Sequence, residues 1–121
     1  MEIIQIYKCF CDLQRLRILN LLKDGPLCVC HLMEILGEDQ VKISKQLRYM
    51  KDMGMLESER FAQWMIYRLA EPDNPLLLEN LKCLQDSYAE QTEFHQDLKK
   101  RNQLIARIEK ETPDCAEAIS G

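Results

Sequence analysis

Apolar positions fall into four successive patterns along the chain. Ile3, Ile4, Ile6, Tyr7 and Phe10 mark a strongly apolar first helix. Asp12 is placed to cap a second, whose apolar positions are Leu16, Ile18, Leu19 and Leu22. Asp24-Gly25-Pro26 stops it. Leu32, Ile35 and Leu36 then give one buried face of a short helix that Gly37 ends, because glycine accepts the positive φ of a helix C-cap. Glu38 or Asp39 can cap the next helix, which carries Val41, Ile43, Leu47 and Met50. Val41 and Ile43 cannot both sit at the centre of one face, so one of them is expected to pack back near the turn. After Gly54 the pattern changes to strands over 55–60 and 64–69, the second rich in aromatic and β-branched residues, with Phe61-Ala62-Gln63 as the tip and its turn type open.

Pro72 and Pro75 break the chain, and Leu76, Leu77, Leu78, Leu81, Leu84 and Tyr88 mark another apolar helix. From Gln91 to Lys110 the pattern is polar, with a thin stripe of Phe94, Leu98, Ile105 and Ile108, and helical, either continuous with the preceding helix or separate from it. Residues 113–121 are expected to be a loose tail. Two short helices joined by a glycine-containing turn predict a helix-turn-helix, and a hairpin directly after it predicts a wing. The expected fold is mainly α with a β-hairpin wing, a winged helix-turn-helix. Little is left for the 76–88 helix to cover inside so small a domain, so dimerisation through the first and last long helices is expected. Residues 1–90 would form the DNA-binding and dimerisation domain, and 91–121 a polar helical extension.

Composition narrows the function. The 121 residues are 46% apolar, enough for one domain with a core. No apolar run approaches the ~18 residues a bilayer span needs, and the N-terminus lacks a signal-peptide layout, so no membrane role and a cytoplasmic location are expected. The net charge is −4, but it is uneven: residues 1–69 hold ten Lys/Arg and nine Asp/Glu, residues 70–121 six and eleven. The first part can therefore present a local basic patch to DNA with the acidic part turned away. Lys42, Lys45 and Arg48 step by three along the second helix of the helix-turn-helix, and Lys51 continues the row. A solvated lysine face is the commoner meaning of such a row; the turn and the hairpin favour a helix that enters a major groove. Lys42, Ser44, Lys45, Gln46 and Arg48 are the candidate DNA contacts, with Gln46 suited to adenine and Lys45 or Arg48 to guanine. Arg60, near the wing tip, could meet a phosphate or a minor groove.

Six cysteines stand at positions 9, 11, 28, 30, 83 and 115. In a reducing compartment, pairs of them suggest metal or redox chemistry before structural disulfides. Cys28 and Cys30 form a C-x-C pair at the start of the apolar pattern, and Cys9 and Cys11 form another at the end of the first helix. Residues two apart on a regular helix point about 200° from each other, so binding one ion with both would require a distorted helix start. Cys83, between leucines, is expected in the core. Cys115 could reach a site only if the tail folds back. His31 is a borderline ligand but is expected at the surface, as is the isolated His95.

Over roughly residues 5–85 the chain resembles the ArsR/SmtB family of metal-responsive winged-helix repressors. Asp12-Leu13-Gln14-Arg15-Leu16-Arg17-Ile18-Leu19 is similar to the family's D-P-x-R-L-x-I-L helix, with Leu13 in place of proline. Leu27-Cys28-Val29-Cys30-His31-Leu32 is similar to its E-L-C-V-C-D-L metal box. Gln40 to Leu47 aligns with the recognition helix, where Ser44 matches, Asp39 replaces the first serine and Gln46 the histidine. Trp64-Met65-Ile66-Tyr67-Arg68-Leu69 is similar to the end of the wing. The resemblance implies a homodimer on a pseudo-palindromic operator, with half-sites about one turn, ~10 bp, apart, released by a thiophilic ion: As(III) or Sb(III), alternatively Cd(II), Pb(II) or Zn(II). Arsenic-sensing members carry a further cysteine where this chain has Met33.

As(III) takes three thiolates, whereas cadmium and lead take three or four and zinc prefers a tetrahedron. Cys9 and Cys11 are the expected source of ligands beyond Cys28 and Cys30, and all four would suit cadmium, lead or zinc. The bland alternative for Cys9 or Cys11 is a small buried apolar residue. A thiol-redox repressor is the nearest rival. A module with a structural zinc would show no ligand-dependent DNA release. A thiol enzyme is disfavoured, because the chain has neither a C-x-x-C motif nor the strands of an α/β fold.

Overall fold

The computed structural model describes residues 3–71, 74–87 and 92–120. Helix α1 spans Ile3–Phe10 and α2 Leu13–Lys23. Asp12 caps α2, its carboxylate accepting from Arg15 N at 3.0 Å. Helices α3 (Val29–Leu36) and α4 (Gln40–Asp52) form the helix-turn-helix. Gly37, at φ 66°, ends α3 in the left-handed region. Of the two acidic candidates Asp39 is the cap of α4, accepting from Lys42 N at 2.9 Å. Leu32, Ile35 and Leu36 are buried as the periodicity predicts, and Ile43 is fully buried while Val41 is 75% exposed.

Strands β2 (Leu56–Phe61) and β3 (Trp64–Leu69) form the wing. The pairing of Phe61 with Trp64 leaves a two-residue turn, Ala62-Gln63, with Ala62 at φ 55°. An L-residue with a Cβ is strained there. Ala62→Gly should therefore raise stability by about 0.5–1 kcal/mol, read as a higher urea midpoint at unchanged slope. The sheet has a third strand that sequence pattern did not predict. Strand β1 (Leu27–Cys28) pairs antiparallel with β3, Leu27 opposite Tyr67 and Cys28 opposite Ile66, in the order β1-β3-β2. Two residues carry too little alternation to announce a strand; long-range pairing creates it.

Helix α5 (Pro75–Ser87) buries Leu77 and Leu81, and α6 (Glu93–Glu111) is a separate helix capped by Thr92. Pro72, read as a chain break, and Tyr88 and Gln91, read as helical, lie outside the described residues. The expected loose tail is instead a helix, α7 (Pro113–Ser120), which packs on α6 and β3 and buries Cys115, Ala118 and Ile119. A short segment with three apolar side chains looks weak alone and is stable once they join a core. Helix α6 packs on α2 and α3, placing Leu104 and Ile108 in the same core.

Polar contacts fix this arrangement. Asp97 of α6, 1% exposed, accepts two bonds from Arg17 of α2, at 2.8 and 2.9 Å. His95 is not an isolated surface residue: it is half-buried, its Nε2 lies 2.7 Å from the Gln85 carbonyl and its Nδ1 2.8 Å from Thr92 Oγ1, so it ties α5 to α6. Cys83, expected in the core, is exposed, because α5 turns Leu77 and Leu81 inward. Among the described residues, no helix is long and apolar enough to cross a membrane.

Candidate functional site

The first half of the site is built where β1 becomes α3. Cys28 is the N-cap of α3, with φ −77° and ψ 153°, and only Cys30 lies inside the helix. The half-turn separation expected for two helical residues therefore does not arise. The Cys30 thiol donates to Cys28 Sγ at 3.1 Å, so the pair already converges without distortion of the helix. That bond, followed by backbone N–H groups of Cys30, Met65 and His31, pulls the Cys28 thiol well below its ordinary pKa against the effect of burial. A helix N-terminus stabilises a thiolate in the same way. The same bond pushes the Cys30 thiol upward, since its proton is the one shared. Cys28 is buried and Cys30 exposed, so the pair has one edge open to solvent.

Two further side chains stand beside the pair. His31, predicted at the surface, is 4% exposed. Its Nδ1 accepts from the Cys28 backbone N–H at 3.0 Å, which places its proton on Nε2. That nitrogen faces Cys115 Sγ at 3.2 Å. Burial lowers the His31 pKa to about 4, so the ring is neutral near pH 7. Cys115 is held protonated first by burial and then by the neighbouring Cys28 charge. The signal in the sequence was only the cysteine itself, in a segment without visible structure.

Cys9 lies in α1 and Cys11 just after it. Cys9 is fully buried beneath α1, and burial raises its pKa. Cys11 is exposed. Helix α1 packs against α2, and among the described residues no hydrogen bond joins either thiol to Cys28 or Cys30. Nor, among those residues, do three ligating side chains stand close enough together to hold a metal ion as they are. The donor set itself suits a soft ion: two thiols, a neutral imidazole and a third thiol behind it.

The second half is the exposed face of α4. At ~100° per residue, Val41, Lys45 and Arg48 fall within roughly 60° of one another. All three are exposed, as are Lys42, Tyr49 and Lys51. Val41, whose periodicity predicts a packing residue, is instead an exposed valine between cations, suited to a thymine methyl. Lys42 Nζ lies 3.5 Å from Glu38, Lys51 Nζ donates to Ser58 of the wing at 2.6 Å, and Ser44 is half-buried. Gln46 departs from expectation. Its Oε1 accepts from Arg15 at 3.3 Å and its Nε2 donates to Asp12 at 3.3 Å, so both ends of the amide anchor α4 to α2. Arg15 also donates to the Lys8 and Cys9 carbonyls and lies 4.5 Å over the Tyr49 ring. Arg60 is exposed on β2, opposite Met65 and next to the turn.

The two halves are mechanically joined. Cys28 is paired with the wing strand β3 and also begins α3, which packs directly on α4. Arg107 of α6 reaches Glu34 of α3 at 2.8 Å from the other side.

Comparison with known proteins gives a consistent set of relatives. Residues 12–58 match the model of the bacterial regulatory protein arsR family. The chain is 35% identical over 82 residues to the arsenical resistance operon repressor of Bacillus subtilis, covering 66% of this chain and 78% of that one. It is 40% identical over 68 residues to the arsenical resistance operon repressor of Escherichia coli, and 39% identical over 71 residues to the arsenic resistance transcriptional regulator ArsR1 of Pseudomonas putida. The matches cover 55% and 58% of this chain, and the chain spans only 58% and 55% of the length of those two relatives. Among solved structures, HlyU from Vibrio cholerae superposes with a TM-score of 0.64 at 25% identity, over 70% of this chain and 89% of that one. A homodimeric winged helix-turn-helix DNA-binding domain from Mycobacterium bovis, Mb0332, shares the fold, with a TM-score of 0.59 at 24% identity over 74% of this chain and 80% of that one.

Proposed function

Since the chain belongs to the ArsR family, a family of transcriptional regulators rather than enzymes, we propose that it is a homodimeric repressor that leaves its operator on binding arsenite or antimonite through Cys28 and Cys30. The observation that carries this is the 3.1 Å approach of the two sulfurs at the junction of wing and helix-turn-helix. Ligation there pulls at β1 and α3 together, and so at both DNA-reading elements. A coupling of ~1–3 kcal/mol per site would weaken operator binding ~5–150-fold.

Operator contacts are assigned to Lys42, Ser44, Lys45 and Arg48 on α4 and to Arg60 on the wing, on one pseudo-palindromic half-site per protomer. Gln46 is assigned a positioning role instead. Residues 1–90 are assigned to DNA binding and to pairing of the protomers, and 91–121 to a polar helical extension, whose last helix packs on α6 and β3. Dimerisation is supported by Ile3, Ile4 and Tyr7, which stand 48–59% exposed on α1. It is also supported by an apolar groove of about 230 Å³ lined by Phe10, Leu16, Leu81 and Leu84.

Fluorescence anisotropy of the reduced protein on its own promoter DNA tests the proposal, with arsenite, antimonite, cadmium, lead and zinc added in turn. Arsenite should release the wild type, while Cys28→Ser and Cys30→Ser should bind DNA as before and ignore it. Release by cadmium or lead alone would change the ion class. Release by none of the ions would overturn the proposal.

A further inference from the structure

The third thiol of the ion site remains to be assigned, and the reading above leaves it open. Three observations bear on it. Helix α7 folds back on β3 and α6 and buries Cys115. His31, adjacent to Cys30, touches that thiol at 3.2 Å through Nε2 while bonding the Cys28 backbone through Nδ1. Cys115 also lies within electrostatic range of both other thiols. Cys9, by contrast, is fully buried beneath α1, and Cys11 would have to come from outside this cluster.

We propose that Cys28, Cys30 and Cys115 of one chain form a three-thiolate site for a pyramidal trivalent ion of the arsenite type, with His31 as the positioning residue that holds Cys115 beside the pair. The inference rests on the ion-responsive function proposed above and specifies its ligand set. Three sulfurs replace the three hydroxides of arsenous acid: the Cys30 and Cys115 S–H protons and, because Cys28 is already a thiolate, one proton taken from solvent leave with the hydroxides as three waters, and three As–S bonds replace three As–O bonds. Arsenic stays trivalent, and no oxidant or reductant is required. Because the thiols are not yet gathered around one point, closing the site draws α7 toward the start of α3. That movement pulls on the Cys28–Ile66 pairing that joins the site to the wing. Met33, standing where the resembled family has its third cysteine, is then not needed as a ligand.

The test counts thiols as well as DNA release. The reduced full chain is mixed with arsenite, its unprotected thiols are titrated with a disulfide reagent, and the sulfur coordination number is read by arsenic-edge X-ray absorption. Wild type should protect three thiols per chain and show three sulfurs around arsenic. Cys115→Ser and Cys115→Ala should show two sulfurs and bind arsenite on the order of 100-fold more weakly, as expected for losing one arm of a chelate. Circular dichroism should confirm that at least the alanine variant keeps its fold. Cys9→Ser and Cys11→Ser should behave as wild type. Three sulfurs retained in both Cys115 variants, or lost in Cys11→Ser or Cys9→Ser, would overturn the assignment while leaving arsenite sensing intact. No protected thiol in wild type would instead overturn the sensing function itself.

Discussion

Asp97→Ala should lower the stability of the folded chain by about 1.5–3 kcal/mol, the range for losing charge-assisted hydrogen bonds at a partly buried arginine. The Asp97 side chain is 1% exposed and that of Arg17 21%, and their two hydrogen bonds at 2.8 and 2.9 Å are the fork geometry in which arginine binds a carboxylate best. Alanine leaves the guanidinium partly buried without that partner; Glu93, at 4.0 Å and more exposed, is a poor substitute. The loss falls on the attachment of α6 to α2, which also keeps Leu104 and Ile108 in the core. Asp97→Asn retains the shape and part of the hydrogen bonding, so its cost should be smaller. Urea unfolding monitored by circular dichroism measures both. A cost for Asp97→Ala below 1 kcal/mol would show that the pair contributes little beyond its own desolvation.

The second large effect is expected at α4. Lys45→Ala together with Arg48→Ala removes two cations per chain, and so four from the homodimer proposed above on its symmetric operator. If each neutralises one phosphate, the slope of log affinity against log salt should fall by about 3–4, and operator affinity near 0.15 M salt should drop on the order of 1,000-fold. Gln46→Ala is the informative comparison. Its amide is held by Arg15 and Asp12, so it should weaken binding through the seating of α4, with the salt slope unchanged and no selective loss at adenine positions. An unchanged slope in the double variant would take Lys45 and Arg48 off the phosphates. A purely adenine-specific loss for Gln46→Ala would mean that its amide leaves α2 when DNA binds.

Much of the domain was legible because its determinants are local. Asp12 and Asp39 each cap a helix by accepting from the N–H three residues on, and Gly37 ends one by adopting a φ that side chains avoid. The helix-turn-helix, the wing strands and the basic face follow from spacing within a few residues. The C-x-C pair was legible as a chemical signal too, but its geometry was not. Its convergence depends on Cys28 lying in β1 rather than in α3, and β1 exists only because β3, nearly forty residues later, pairs with it.

The remaining differences share that cause. Arg17 meets Asp97 across 80 residues, Cys115 meets His31 across 84, and His95 meets the Gln85 carbonyl across a change of helix. Each partner looks ordinary in its own window: an acidic residue in a polar helix, a cysteine in a short tail, a lone histidine. Burial changed what they are, because a polar side chain taken out of water needs a partner and keeps it. The sequence by itself determined the order of the elements, their caps, the family resemblance and the residue types available for DNA and for a thiophilic ion. Only the tertiary structure decided which thiols stand together, which glutamine is already engaged, and that the last eight helical residues belong to the core.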